Sequence, residues 1–147
     1  MSKRINDPLA VSLFSEISAI DHLLKVKLSK SLPLGMELSH FAILNHISTI
    51  ETEKTPVQLA RSFNLTKGAI TNTLIKLSKM GYIHIRPDWD DARSKLISIS
   101  PAGKVARNSA VSAIEPILAE LMKVIGADKT KEILPFLRDL RILLNNE

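Results

Sequence analysis

Near the start of the chain, apolar residues recur at helical spacing. Leu9, Leu13, Ile17, Ile20, Leu24 and Leu28 follow steps of 4, 4, 3, 4 and 4. That stripe predicts an amphipathic helix of about five turns. Pro8 suits its first turn and Asp7 is placed to cap it. Leu32-Pro33-Leu34-Gly35 ends it, since Pro and Gly punctuate helices. A second helix is expected from a Ser39 cap, burying Phe41, Leu44, Ile47 and Ile50. Thr55-Pro56-Val57-Gln58 combines an N-cap, a proline at the first helical position and a capping-box partner. It opens a short helix with Leu59, Ala60 and Phe63 facing inward. Asn64-Leu65 turns the chain, and Thr66 caps a further helix that buries Ile70, Leu74 and Leu77 and stops at Gly81.

The period then changes from helical to alternating. Tyr82–Arg86 and Lys95–Ile99 read as two strands, joined by the polar loop Pro87–Ser94. Ser100-Pro101 opens another helix, expected to run to about Ile125 with an irregularity at Pro116. Gly126 stops it. Asp128 is placed to cap a last helix carrying Ile133, Phe136, Leu137, Leu140 and Leu144, with a second irregularity at Pro135. The fold class is therefore mainly α with a small β-ribbon. Two short helices with a tight turn, followed by a ribbon, make a winged helix-turn-helix. Residues 38–103 are expected to form this module, and residues 1–37 and 104–147 a helical region whose apolar stripes suit it to dimerisation.

Composition narrows the function. The 147 residues are 45% apolar but only 4% aromatic, so the core is aliphatic. The absence of cysteine excludes disulfide scaffolds, cysteine zinc sites and thiol switches, and it fits the cytoplasm. No signal peptide or membrane span is expected. The four histidines, His22, His40, His46 and His84, have no metal-site spacing. No phosphate loop or catalytic serine motif is present, so neither an enzyme nor a cofactor is expected.

The net charge of +5 matters for its distribution. Lys54, Arg61, Lys67, Lys76, Lys79 and Arg86 fall in a 33-residue stretch without an acid, whereas charges cancel after Val105. A basic middle between near-neutral ends points to a polyanion.

The second helix of the pair is the one expected in the DNA major groove. Its outward side shows Lys67, Gly68, Thr71, Asn72, Ile75, Lys76 and Lys79, with Thr73 near its edge. Asn72 can read adenine by a paired hydrogen bond, and Thr71 and Thr73 suit base edges or a thymine methyl. Gly68 leaves room for close backbone approach, while Lys76 and Lys79 suit phosphate, and Arg86 is a further candidate for DNA contact. In the loop, Arg93 and Lys95 are attracted to DNA, whereas Asp88, Asp90 and Asp91 are repelled. Arg93 inserted in a minor groove and braced by Asp91 resolves the conflict. An ordinary solvated hairpin is the alternative, and Trp89 has no assigned role.

The sequence resembles the MarR family of bacterial transcriptional regulators along nearly its whole length. The likeness rests on Leu38-Ser39, Gln58-Leu59-Ala60, Leu65-Thr66-Lys67-Gly68-Ala69-Ile70-Thr71 and Leu77-Ser78-Lys79-Met80-Gly81-Tyr82-Ile83. It continues in Asp91-Ala92-Arg93 and Ile99-Ser100-Pro101-Ala102-Gly103. Ile99-Ser100 departs from the usual Leu-Thr, and Gly68 stands where Ser is common. The resemblance implies a homodimer whose first and last helices interleave; the terminal apolar stripes agree, with an intrachain bundle as the alternative. Such a dimer would set its recognition helices about 34 Å apart on a pseudo-palindromic site. The resemblance further implies a small aromatic or phenolic effector between the dimer base and the DNA-binding lobe. Phe14, Ile17, Asp21, Phe41 and His46 are the candidate lining, and core packing is their competing role. The expected function is a regulator of transcription, a repressor reading double-stranded DNA. A winged-helix protein-interaction module is the main alternative, and an RNA binder is disfavoured by the scarcity of aromatics.

Overall fold

The computed structural model describes residues 8–33, 35–50 and 52–145. In chain order it runs α1 (Pro8–Ser29), α2 (Leu38–Thr49), α3 (Pro56–Ser62), α4 (Lys67–Lys79), β1 (Ile83–Pro87), β2 (Lys95–Ile99), α5 (Pro101–Ile125) and α6 (Ala127–Asn145). The fold class is the expected one, a mainly helical chain with a small ribbon. The Asp7 cap and Leu34 lie outside the described residues.

Local chemistry sets most boundaries. Thr55 Oγ1 accepts from the Gln58 N–H at 3.2 Å, and Gln58 Oε1 accepts from the Thr55 N–H at 2.9 Å. This reciprocal pair starts α3 as the sequence predicts. Thr66 Oγ1 accepts from the Ala69 N–H at 3.2 Å and starts α4. Gly81 follows α4 with φ of +78°, the left-handed turn that favours glycine.

Two expected caps are corrected. Ser39 lies inside α2, whose N-cap is Glu37; the Glu37 N–H donates to His40 Nδ1 at 3.1 Å. The buried face of α2 is consequently His40, Ile43, Leu44 and Ile47, with Phe41 and Ile50 half-buried. Asp128 lies in the first turn of α6 rather than before it. The reversal there is made by Gly126, at φ +84°, whose N–H donates to the Met122 carbonyl at 2.8 Å. Pro116 and Pro135 both lie within helices, α5 and α6, that continue past them.

The ribbon is antiparallel, with Ile83 opposite Ile99, Ile85 opposite Ile97 and Pro87 opposite Lys95. Lys54 adds a short third rung that the sequence did not announce. Its N–H donates to the Ile97 carbonyl at 3.2 Å, and the Ile97 N–H returns to the Lys54 carbonyl at 2.7 Å.

Packing divides the chain into two compact units, one through Ala113 and the other from Ile114 on, so the boundary falls within α5. In the first unit, Ile43, Leu44, Leu59, Ile70, Leu77 and Ile97 are fully buried. They belong to one cluster with Met36, Ile47, Leu74, Ile83 and Ala110. Ser100 clamps the end of α4 to the start of α5. Its hydroxyl donates to the Gly81 carbonyl at 2.6 Å and accepts from the Gly103 N–H at 3.0 Å. Gly103 is required there, because a Cβ would collide with the Tyr82 carbonyl. By contrast, α1 and α6 bury no residue completely.

Candidate nucleic-acid interface

The core-facing side of α4 is fixed by Ile70, Leu74 and Leu77. Helical geometry then turns Lys67, Gly68, Thr71, Asn72, Ile75, Lys76 and Lys79 outward, and all of these are exposed. A Cβ built on Gly68 meets nothing within 4 Å, so this part of the face is open. Thr73 is half-buried, with its hydroxyl donating to the Ala69 carbonyl at 3.1 Å, so it sits at the inner edge.

The hairpin lies beside this helix. A groove of about 330 Å³ is lined by Thr55, Pro56 and Val57 from the start of α3 and by Lys67, Thr71, Leu74 and Ile75 from α4. Ile85, Arg93, Ser94, Lys95 and Ile97 close it from the ribbon. Three cations, Lys67, Arg93 and Lys95, thus meet one groove although 26 residues separate Lys67 from Arg93. Its remaining walls are largely aliphatic. Val57, Ile75 and Ile85 are exposed there, although such residues belong in a core by composition alone. Of these, Ile75 was legible as an outward position; Val57 and Ile85 required the fold.

The hairpin tip is held by its own acids. The Asp91 carboxylate accepts the Arg93 N–H at 3.1 Å, and the same oxygen lies 3.5 Å from Arg93 Nε. The Arg93 side chain is 94% exposed, so this ion pair leaves it in solvent beside the loop. Asp88 Oδ1 accepts the Asp90 N–H at 3.0 Å, which turns a second acid toward the loop backbone.

Arg86 has a different setting from the other cations. Glu53 takes its guanidinium in a fork, Nε to Oε2 at 2.9 Å and Nη2 to Oε1 at 2.7 Å. Arg86 Nη1 also donates to the Pro87 carbonyl at 3.0 Å. The Glu53 hydrogen bonds raise the arginine's pKa, against a lesser effect of burial. Its charge is therefore balanced by an acid one residue before the acid-free stretch. Trp89, 79% exposed, has its ring centroid 5.9 Å from the Arg86 guanidinium carbon. That cation–π contact gives the tryptophan a place at the root of the hairpin.

The structure gives the five candidate effector residues different settings. An open groove containing Phe14 is lined by α1 alone, from Ala10 to His22, without Ile17 or Asp21. Asp21 pairs with Lys25 at 2.9 Å. Phe41 packs against the core cluster. His46 stands edge-on to Phe63, centroids 5.1 Å apart, with its Nε2 buried and without a hydrogen-bond partner in the described residues. Among the described residues, no group of three or more acids or histidines is placed to hold a metal ion. No helix among them is long and apolar enough to cross a membrane.

Residues 34–94, the span of the helix pair and most of the hairpin, match the model of the MarR family. Solved structures resemble the chain over nearly its whole length. A mutant MarR from E.coli complexed with operator DNA has a TM-score of 0.81 at 23% identity, over 95% of this chain and 99% of that one. The transcriptional regulator BldR from Sulfolobus solfataricus has a TM-score of 0.80 at 22% identity, over 95% and 97%. An organohalide-sensing transcriptional regulator in its 2,4-dichlorophenol-bound form has a TM-score of 0.83 at 20% identity, over 99% and 90%. The chain thus carries a segment that matches the MarR family model and has the winged-helix fold of solved MarR-family transcriptional regulators.

Proposed function

We propose that this protein is a sequence-specific double-stranded DNA-binding regulator of transcription, acting as a repressor. The observation that carries the reading is the convergence of Lys67 and Thr71 of α4 with Arg93 and Lys95 of the ribbon on one groove. A helix face of major-groove size beside a cationic hairpin suits a strand of duplex DNA passing between them. In this reading Thr71 and Asn72 contact base edges, and Lys67, Lys76 and Lys95 contact phosphate. Gly68 admits the backbone closely, Thr73 supports Thr71 and Asn72 from the inner edge, and Arg93, oriented by Asp91, enters the minor groove. Arg86 acts at one remove, by holding the hairpin root through Glu53.

The active form is a homodimer on a pseudo-palindromic site. Support comes from the apolar side chains that α1 and α6 leave in water, among them Val11, Ile20 and Leu23 and, in α6, Leu143 and Leu144. Exposed apolar stripes on long helices are the usual mark of a missing partner surface. A small aromatic or phenolic ligand relieves repression by favouring a dimer geometry that fits DNA less well. Its effect is bounded by its differential affinity for the two geometries. The 2,4-dichlorophenol-bound structural neighbour supports that ligand class. The unpartnered His46 Nε2 supplies a polar handle for a hydroxyl.

The test is selection of bound duplexes from a random pool, followed by titration against salt. The expected result is an enriched inverted repeat. Its affinity should fall by roughly 0.9 log units per log unit of salt for each phosphate neutralised. A pool without enrichment, or binding indifferent to salt, would remove the DNA reading. The exposed Val57, Ile75 and Ile85 would then favour a protein-interaction module.

A further inference from the structure

The outer face of α4 offers fewer free hydrogen-bond donors than its sequence suggests. Thr71 Oγ1 donates to the Lys67 carbonyl at 2.7 Å. A threonine hydroxyl has one hydrogen, so Thr71 is left with a lone pair and a methyl group to present outward. The Thr73 hydroxyl is committed in the same way. No arginine lies on α4, so the paired arginine contact to guanine is missing from this helix. Asn72 is its one side-chain amide.

One helical turn beyond Thr71 stands Ile75, 46% exposed on the same groove. A branched aliphatic side chain in water gains nothing until something apolar covers it. The cations around it (Lys67, Lys76, Lys79, Arg93 and Lys95) select a polyanion as the cover. Among base pairs, those containing thymine present an apolar group, the C5-methyl, in the major groove.

We propose that Ile75, with the Thr71 methyl beside it, reads a thymine methyl group and makes this chain's half-site require thymine at that position. The inference rests on the DNA reading above and adds its base chemistry. Thr71 contributes its methyl and an acceptor, Asn72 takes the neighbouring adenine, and the lysines set the register on phosphate.

The test uses the full chain and a duplex enriched from the random pool. Each thymine is replaced in turn by deoxyuridine, which removes the methyl and keeps the pairing. The expected result is one position per half-site where this substitution weakens binding about fourfold, the worth of one buried methyl. An Ile75→Ala chain should lose that sensitivity while keeping the salt dependence. The site is exposed and alanine favours helix, so folding is preserved, as circular dichroism would verify. An Ile75→Val chain should retain a smaller sensitivity. Unchanged affinity for every deoxyuridine duplex, or an Ile75→Ala chain with the wild-type sensitivity, would overturn the proposal and leave DNA binding standing. Failure to enrich any duplex would instead overturn the DNA reading, and this proposal with it.

Discussion

The segment from α2 through β2 and the terminal helices α1 and α6 carry similar apolar periodicity and have different fates. In the former, Leu59, Ile70 and Leu77 are 0% exposed, and short helices close around them. In α1 and α6 no residue is fully buried, and Ile20 is 58% and Leu144 72% exposed. Periodicity states which face of an element wants cover; it does not state what supplies it. The helix-turn-helix supplies its own, because α2, α3, α4 and the ribbon approach from different directions. The long terminal helices offer stripes that await another surface.

The sharpest way to break that contrast is to remove α6. A chain ending at residue 127 should be a monomer by light scattering while keeping the circular dichroism of the remaining helices. A truncated chain that stayed dimeric would place the interface elsewhere. Next in size is a cavity in the closed core. Ile70→Ala should cost about 2–5 kcal/mol in chemical denaturation, independent of protein concentration. With the proposed dimer as its cover, Leu144→Ala in full-length protein should instead give a loss that grows on dilution. Equal, concentration-independent losses at both sites would erase the distinction.

Smaller effects refine the interface. Arg93→Ala should weaken binding to the selected duplex about tenfold and leave the dimer intact. Unchanged affinity would take the hairpin tip out of the mechanism. Glu53→Gln should release Arg86 from its fork. With one more free cation near phosphate, the salt slope should steepen by at most about 0.9. A slope that stayed the same would mean Arg86 is out of reach of DNA.

The smallest effect is on pH dependence. Burial lowers the His40 pKa below its ordinary 6.5, with Glu37 opposing and Lys76 reinforcing the shift. Between the lowered folded value and 6.5 the unfolded chain holds a proton that the folded chain lacks. Stability is therefore full above 6.5 and falls as pH drops toward and through the folded value. The extra proton would also occupy Nδ1, which now accepts the Glu37 N–H. Thermal unfolding between pH 7.5 and 5.5 should show this decline, and His40→Gln should flatten it.

Legibility in the sequence followed the range of the interaction. The Thr55 capping box, the Thr66 cap and the Gly81 stop involve residues at most a few positions apart, and the structure has each of them. Ser39 and Asp128 misled because any small polar residue near a helix start satisfies the same rule. Glu37 and the left-handed Gly126 won on backbone geometry. The Glu53–Arg86 fork spans 33 residues, and the Lys54–Ile97 rung spans more. Neither is implied by any local pattern. The acid-free stretch carries six cations, yet one of them, Arg86, is neutralised by the acid just outside it.

By itself, the sequence determined the elements, their order and the winged helix-turn-helix, because helix caps, proline and glycine act through neighbouring backbone groups. It also determined that α4 would present polar and cationic residues outward, since burying Ile70, Leu74 and Leu77 leaves that face no alternative. Only the tertiary structure decided which cations act together. Packing α4 against the ribbon brings Lys67 to Arg93 and Lys95, while Glu53 withdraws Arg86. Tertiary structure likewise decided that one set of apolar stripes closes into a core and the other stays in water. Burial depends on surfaces meeting in space, and spacing along the chain specifies only which surfaces are ready to meet.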